Sequence, residues 1–363
     1  MKIQSKYIHG YVWVLMLFFW YQPLKAQTFT NPLLEAGADP WSIYKDGYYY
    51  YTHTLQDSIV IWKTKNLSEL KTAERKTIFV PPAGTNYSKE IWAPEIHFIE
   101  GKWYVYFAAD DGNNQNHRMY VLENNAANPF DGNWVFKGKV HDKTDKWAID
   151  GSVFYHKNKL YMVWSGWEGD TNGKQEIFIA KMKNPYTIKG KRYKISTPQL
   201  TWELHGDLND PNNPPHVAVN EGPQILKNGD KTFIIYSASG CWTDFYALGM
   251  LSLTGKNIRK ASSWEKNQQP VFKQSPENGV YAPGHNSFFK SPDGTEDWIL
   301  YHANSAPGQG CGGHRSPRAQ KFTWNADGTP NFSIPVKAGI AQKIPLKINR
   351  KQNFSRYEKE KHH

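Results

Sequence analysis

Three isolated acids head short apolar runs in this chain: Asp39 in "DPWSIYKDGYYYYTHT", Asp150 in "DGSVFYHKNKLYMVWSG" and Glu221 in "EGPQILKNGDKTFIIYSAS". Two further segments share the layout, "APEIHFIEGKWYVYFAA" from Ala93 and "HNSFFKSPDGTEDWILYHA" from His285. Taken singly, an acid before a strand reads as a turn or capping residue, because Asp and its polar relatives favour such turns. Recurring at one structural position, ionisable groups point instead to a site, since clustered carboxylates are costly unless they do chemistry. Two carboxylates about 6.5–9.5 Å apart can cleave a glycosidic bond with inversion, one activating water and the other protonating the leaving oxygen. A third carboxylate nearby raises the pKa of the acid by like-charge repulsion, so that it keeps its proton near neutrality. Glu221 is one methylene longer than the aspartates and is the candidate for reaching a leaving group. Retaining chemistry would use two of the same groups at about 5–5.5 Å, and the sequence leaves it open.

Such groups can converge only if the five segments are arranged around a common axis. Each reads as a β-hairpin: a short apolar strand, a tight turn at Gly47, Gly101, Asn158, Gly229 or Gly294, and an aromatic-rich strand. Their starts are separated by 54, 57, 71 and 64 residues, room for about four short strands per unit. More strand-like runs fill the intervals, including "SIVIWKT", "HRMYVLEN", "EIFIAKM" and "YALGMLSL", and long helical periodicity is missing. The pattern predicts an all-β fold, a five-bladed β-propeller whose blades each place their first strand at the axis. A β-sandwich would not explain one signature repeated five times, and a β-helix repeat is much shorter.

The ends and the charge set the context. Residues 1–26 carry Lys2 and Lys6, an apolar run from Tyr11 to Trp20 and a small residue before Gln27, the pattern of a secretory signal peptide. The run is too short to favour a transmembrane span of roughly 20 apolar residues. A secreted or periplasmic protein is expected, with a single catalytic domain over 27–350 and a polar C-terminal tail over 351–363. Formal net charge is +11, or +8 once Lys2, Lys6 and Lys25 leave with the signal. The basic residues are scattered among acids, which argues against a nucleic-acid groove. Cys241 and Cys311 are the only cysteines; in an oxidising compartment they could pair, or remain two buried thiols.

The motifs "ADPW" at 38–41, "WAPE" at 92–95, "AIDGSVF" at 148–154, "NEGPQI" at 220–225 and "GHNSF" at 284–288 resemble glycoside hydrolase family 43, in order and over essentially the whole mature chain. The resemblance implies a five-bladed propeller and an inverting hydrolase of arabinose- or xylose-containing glycans. Carried over by motif, Asp39 is the general base, Glu221 the general acid, and Asp150 the residue that tunes and orients the acid. His285 matches a family position that often holds Ca²⁺ or another ion in the central channel, directly or through water. Its alternative is a hydrogen-bonded channel histidine, since one imidazole is a poor site for a hard cation unless water completes the shell. Sugars present C–H faces that pack on indole, so Trp41, Trp92 and Trp167 form the expected pocket wall. The family also uses an Arg of the last blade on the sugar hydroxyls; of Arg315 and Arg318, the second heads the strand "RAQKFTW" and is preferred. A Cys241–Cys311 bridge would tie that loop to the one after "IIYSASG".

The expected activity is a secreted α-L-arabinofuranosidase releasing arabinose from arabinan or arabinoxylan of plant cell walls. A β-xylosidase or an arabinanase of the same family is the alternative, and a non-catalytic sugar-binding propeller is the reading of another class. There is no G-x-S-x-G elbow, Walker loop, HExxH or paired-Cys zinc pattern.

Overall fold

The computed structural model describes residues 27–206 and 217–346. The expected signal peptide and the whole of the polar tail over 351–363 lie outside the described residues. Every one of the five segments folds into the hairpin its pattern predicts. The first three turn on two-residue loops in which both residues have positive φ, at Asp46–Gly47, Glu100–Gly101 and Lys157–Asn158. This geometry matches the right-handed twist of the paired strands.

Two outer strands complete each unit except the third, which has three. The first runs Trp41–Lys45, Tyr48–Thr52, Ile59–Thr64 and Glu74–Phe79, and the second Lys89–Ile99, Lys102–Asp110, Arg118–Asn124 and Val135–Val140. In the third, Ala148–His156, Lys159–Gly166 and Lys174–Asn184 are edged by both Thr187–Ile188 and Tyr193–Ser196. The fourth comprises Ala218–Asn228, Lys231–Ala238, Ala247–Leu253 and Trp264–Lys266, and the fifth Tyr281–Lys290, Asp297–Asn304, Ser316–Trp324 and Pro330–Asn331. A short parallel pairing, Lys174 with Ala218 and Gln175 with Val219, joins the third and fourth sheets.

The aromatic richness follows from burial on both faces. Along Lys102–Asp110, Trp103, Val105, Phe107 and Ala109 pack toward the first unit, while Tyr104, Tyr106 and Ala108 pack toward the third. This is the two-residue period of a strand with a neighbour on each side. Five apolar clusters result, each shared by two units: first with second, second with third, third with fourth, fourth with fifth, and fifth with first. Full burial of each large side chain is worth roughly 1.5–3 kcal/mol, so no unit can keep its core without both neighbours. The first strands also contact one another in chain order, and Tyr281–Lys290 returns to Trp41–Lys45. Thr28–Phe29 pairs antiparallel with Gln342–Lys343. Beside that pairing the Asn31 side chain both donates to the Ala319 carbonyl and accepts from its amide, each at 2.9 Å.

Candidate active site

Near its start, each first strand carries a two-residue irregularity where pairing with the second strand skips. In the second to fifth units the skipped pairs include Ala93, Asp150, Gly222 and His285. In the first, Ala38 and Trp41 are held to the second strand while Asp39 and Pro40 are not. Asp39, Ala93, Asp150, Gly222 and His285 all have positive φ, between 43° and 58°. Such bulges re-aim side chains and cluster beside active sites.

Side chains of the preceding unit hold four of these bulges by the amide. Asp39 N donates to His302 Nδ1 at 3.0 Å, Ala93 N to Thr54 Oγ1 at 2.7 Å, Gly222 N to Asp150 Oδ2 at 2.9 Å and His285 N to Ser237 Oγ at 2.8 Å. One expectation is corrected here. The residue equivalent to Asp39 in the fourth unit is Gly222, not Glu221, which stands one position earlier, level with Trp92 and Ile149. Gly222 fits because a Cβ there would lie 3.3 Å from the His285 ring and the backbone is left-handed.

Asp39, Asp150, Glu221 and His285 line one open cavity of about 370 Å³. Asp39 is buried, with Thr54 Oγ1 donating to its Oδ2 at 2.6 Å. Its Oδ1 lies 3.2 Å from His285 Nδ1 and 3.3 Å from an Arg315 guanidinium nitrogen. Burial pushes this carboxyl up, but His285, Arg315 and His302 outweigh it and hold Asp39 well below the usual carboxylate range. His302 accepts the Asp39 amide at Nδ1, and burial holds the ring near a pKa of about 4, so it is neutral. His285 is pulled the other way: burial opposes its charge, yet Asp39, Asp150, Glu221 and Glu95 together raise it.

Across the cavity the balance reverses. Burial, assisted by Asp39 and Glu95 against His285, pushes Asp150 up to about 6. Glu221 is pushed up to about 7, first by burial and then by Asp150, although the Tyr246 hydroxyl donates to its Oε1 at 2.7 Å and favours the ionised form. A buried network props the strand that carries Glu221. Asn220 Nδ2 donates to Glu203 Oε1 at 3.0 Å, Lys266 Nζ meets the same oxygen at 2.8 Å, and Ser165 Oγ donates to the Asn220 carbonyl at 2.9 Å. Chemically, the cavity therefore holds one committed carboxylate and a coupled pair that keeps a proton near neutrality.

The expected wall is partly redrawn. Trp92 lines the cavity, stacked on His117 at 4.0 Å with its Nε1 donating to Gln56. Trp41 does not line it: its Nε1 donates to the Ile96 carbonyl and its ring lies on His97, between the first two units. Trp167 is fully buried and serves as backing, stacked at 4.7 Å on Trp147, which does line the cavity. Arg318 is wholly buried and donates to Ser305 Oγ, away from the cavity; Arg315 is the arginine at the site. The reason is position: Arg318 lies within the strand Ser316–Trp324, opposite Tyr301 of its neighbour, whereas Arg315 lies in the loop before it. Sequence reasoning gave no site role to Tyr246, Thr54, His302 or Trp242; the first three lie inside quoted strand segments, where nothing marks them as facing the cavity, and Trp242 lies in none.

Cys241 and Cys311 form a disulfide with Cα atoms 5.2 Å apart, spanning 70 residues, and both line the cavity. The donors at His285 do not make a protein cage for a hard cation, which takes six to eight oxygens. Its Nδ1 faces Asp39, while the neighbouring buried Asn286 has no hydrogen bond on either amide atom. The set fits only an ion held largely through water. Among the described residues no helix is long and apolar enough to cross a membrane.

The chain is 44% identical to an extracellular exo-α-(1→5)-L-arabinofuranosidase of Streptomyces avermitilis, over 86% of this chain and 65% of that protein. It thus spans about two thirds of the length of that relative. It is 36% identical to a protein of the same name from Streptomyces chartreusis, over 76% of this chain and 82% of the other. Among solved structures, an α-L-arabinofuranosidase from Lactobacillus brevis superposes with a TM-score of 0.78 at 35% identity, covering 86% of this chain and 98% of its own. The model of glycosyl hydrolases family 43 matches residues 29–330, and the chain belongs to that family.

Proposed function

We propose that this protein is an exported α-L-arabinofuranosidase that removes terminal arabinofuranose from arabinan or arabinoxylan of plant cell walls with inversion. The carrying observation is that one cavity pairs Asp39, flanked by His285 and Arg315, with Glu221, which burial and Asp150 push toward its protonated form. Asp39 takes a proton from the attacking water as the C–O bond breaks, and Glu221 gives its proton to the departing oxygen. Asp150 raises the acid's pKa and, through the Gly222 amide, orients the backbone beside it. Arg315 and His285 keep the base ionised, and Trp92 and Trp147 supply apolar faces for the sugar. An ion held by His285 and Asn286 through water would add positive charge beneath the carboxylates, and no proton transfer depends on it.

The cyclic order of the five apolar clusters and of the first strands supports a single five-bladed propeller over 27–350, preceded by a signal peptide over 1–26 and followed by a polar tail over 351–363. The names of the Streptomyces relatives support an extracellular location and attack on α-1,5-linked arabinose.

The test is hydrolysis of 4-nitrophenyl α-L-arabinofuranoside and β-D-xyloside, with the products from linear and branched arabinan and from arabinoxylan separated by size. Arabinose alone, with the inverted anomer seen first by NMR, is the expected result. Preference for the xyloside, oligosaccharide products or initial release of the retained anomer would each overturn part of it. Sugar binding with no hydrolysis would leave the non-catalytic reading.

A further inference from the structure

The rim formed by the fourth and fifth units carries Trp242, in the turn after Lys231–Ala238. Trp147 on the same cavity is buried, whereas Trp242 is 38% exposed. The indole is seated on backbone that only glycine allows. A Cβ on Gly240 would lie 2.3 Å from Trp242 Cε2, and one on Gly206 would lie 2.7 Å from its Nε1. The seat is itself fixed: Gly240 N donates to the His205 carbonyl at 2.8 Å, Thr243 N to the Gly240 carbonyl at 2.9 Å, and the adjacent Cys241 is bonded to Cys311. A large apolar ring is thus held rigidly against the cavity mouth, and a plate ordered beforehand loses little entropy when something stacks on it.

Its side of the cavity is the acid's side. Trp242 and Glu221 belong to the same unit, and Tyr246, four residues after Trp242, hydrogen-bonds Glu221. The acid protonates the leaving oxygen, so the leaving sugar lies toward this rim. Resting on the glycosidase reading above, we propose that Trp242 is the stacking platform for the leaving-group sugar and the residue by which the enzyme favours arabino-oligosaccharides over simple glycosides. The ring offers an apolar face to the C–H face of a furanose and no charge, so it selects for a sugar ring without selecting for its hydroxyl pattern.

The experiment compares kcat/KM for α-1,5-arabinotriose with that for methyl α-L-arabinofuranoside, whose leaving group has no ring to stack. In Trp242→Ala the ratio of the two is expected to fall about tenfold, mainly through KM for the trisaccharide, a size within reach of one aromatic contact. Trp242→Phe should recover most of the ratio. Gly240→Ala, which keeps the indole but forces it off its seat, should lower the ratio as Trp242→Ala does and serves if that variant fails to fold. An unchanged ratio, or proportional loss on both substrates, overturns the platform. Absence of hydrolysis of either substrate by the unaltered protein would instead overturn the glycosidase reading.

Discussion

The two halves of the cavity are built from the same functional group and put to opposite uses. Asp39 sits between His285 and Arg315, with a hydroxyl donating to it, so its charge is answered on several sides. Asp150 and Glu221 sit among carboxylates and apolar walls, with one backbone amide and one phenol for support. Burial acts upward on all three. What separates the two halves is the neighbouring charge: His285 and Arg315 face Asp39, whereas Asp150 and Glu221 act on each other.

Removing the carboxylate from the cationic half should cost most. Asp39→Asn is expected to lower kcat about 10³–10⁴-fold on every glycoside, because water must be activated whatever departs; residual rates that depend on the leaving group would break the assignment. On the acidic half the loss should depend on the substrate. Glu221→Gln is expected to cost about 10²–10³-fold on arabinotriose and less than about tenfold on an aryl glycoside, whose phenolate needs little protonation. Equal losses on the two would count against Glu221 as the acid. The smallest effect is a shift without loss of either group. The acid works while protonated, so activity should fall as pH rises through about 7, and the base, already ionised, should set its limb below the usual carboxylate range. Tyr246→Phe deletes a hydrogen bond that favours ionised Glu221, so the alkaline limb should move upward, by less than about one pH unit. A kcat/KM profile that stays put or moves downward would show that the phenol does not govern this proton.

Much of this was readable beforehand. The hairpin turns, the aromatic strands and the recurring heads announced five similar units, and Asp39, Asp150 and Glu221 stood at those heads. What the pattern did not reveal is a matter of single residues. A bulge moves the register by one, so Glu221 looked equivalent to Asp39 although Gly222 holds that place and Glu221 shares a level with Trp92. The same parity hides which tryptophan faces sugar: Trp41 and Trp92 sit at corresponding ends of adjacent first strands, yet only Trp92 turns to the cavity. Arg318 was preferred for its place in a strand, and that place is what buries it. Trp147 and Trp167 are stacked partners whose order, wall and backing, depends on chain paths around them. Tyr246 reaches Glu221 from just before another strand of the same unit, and its local sequence does not mark the contact.

The clasp between the two chain ends has a consequence for how the molecule comes apart. Asn31 grips Ala319, 288 positions further along the chain, and closing a loop of that length costs about 5 kcal/mol of chain entropy by the logarithmic scaling. Contacts of such long range reward the chain only after the rest has formed, which slows folding. Breathing of the native protein should therefore start at this seam between the first and fifth units, where amide hydrogens exchange earliest. Asp39 and its partner Arg315 lie on opposite sides of that seam, so Asp39 is the cavity carboxylate most exposed to opening between these two units.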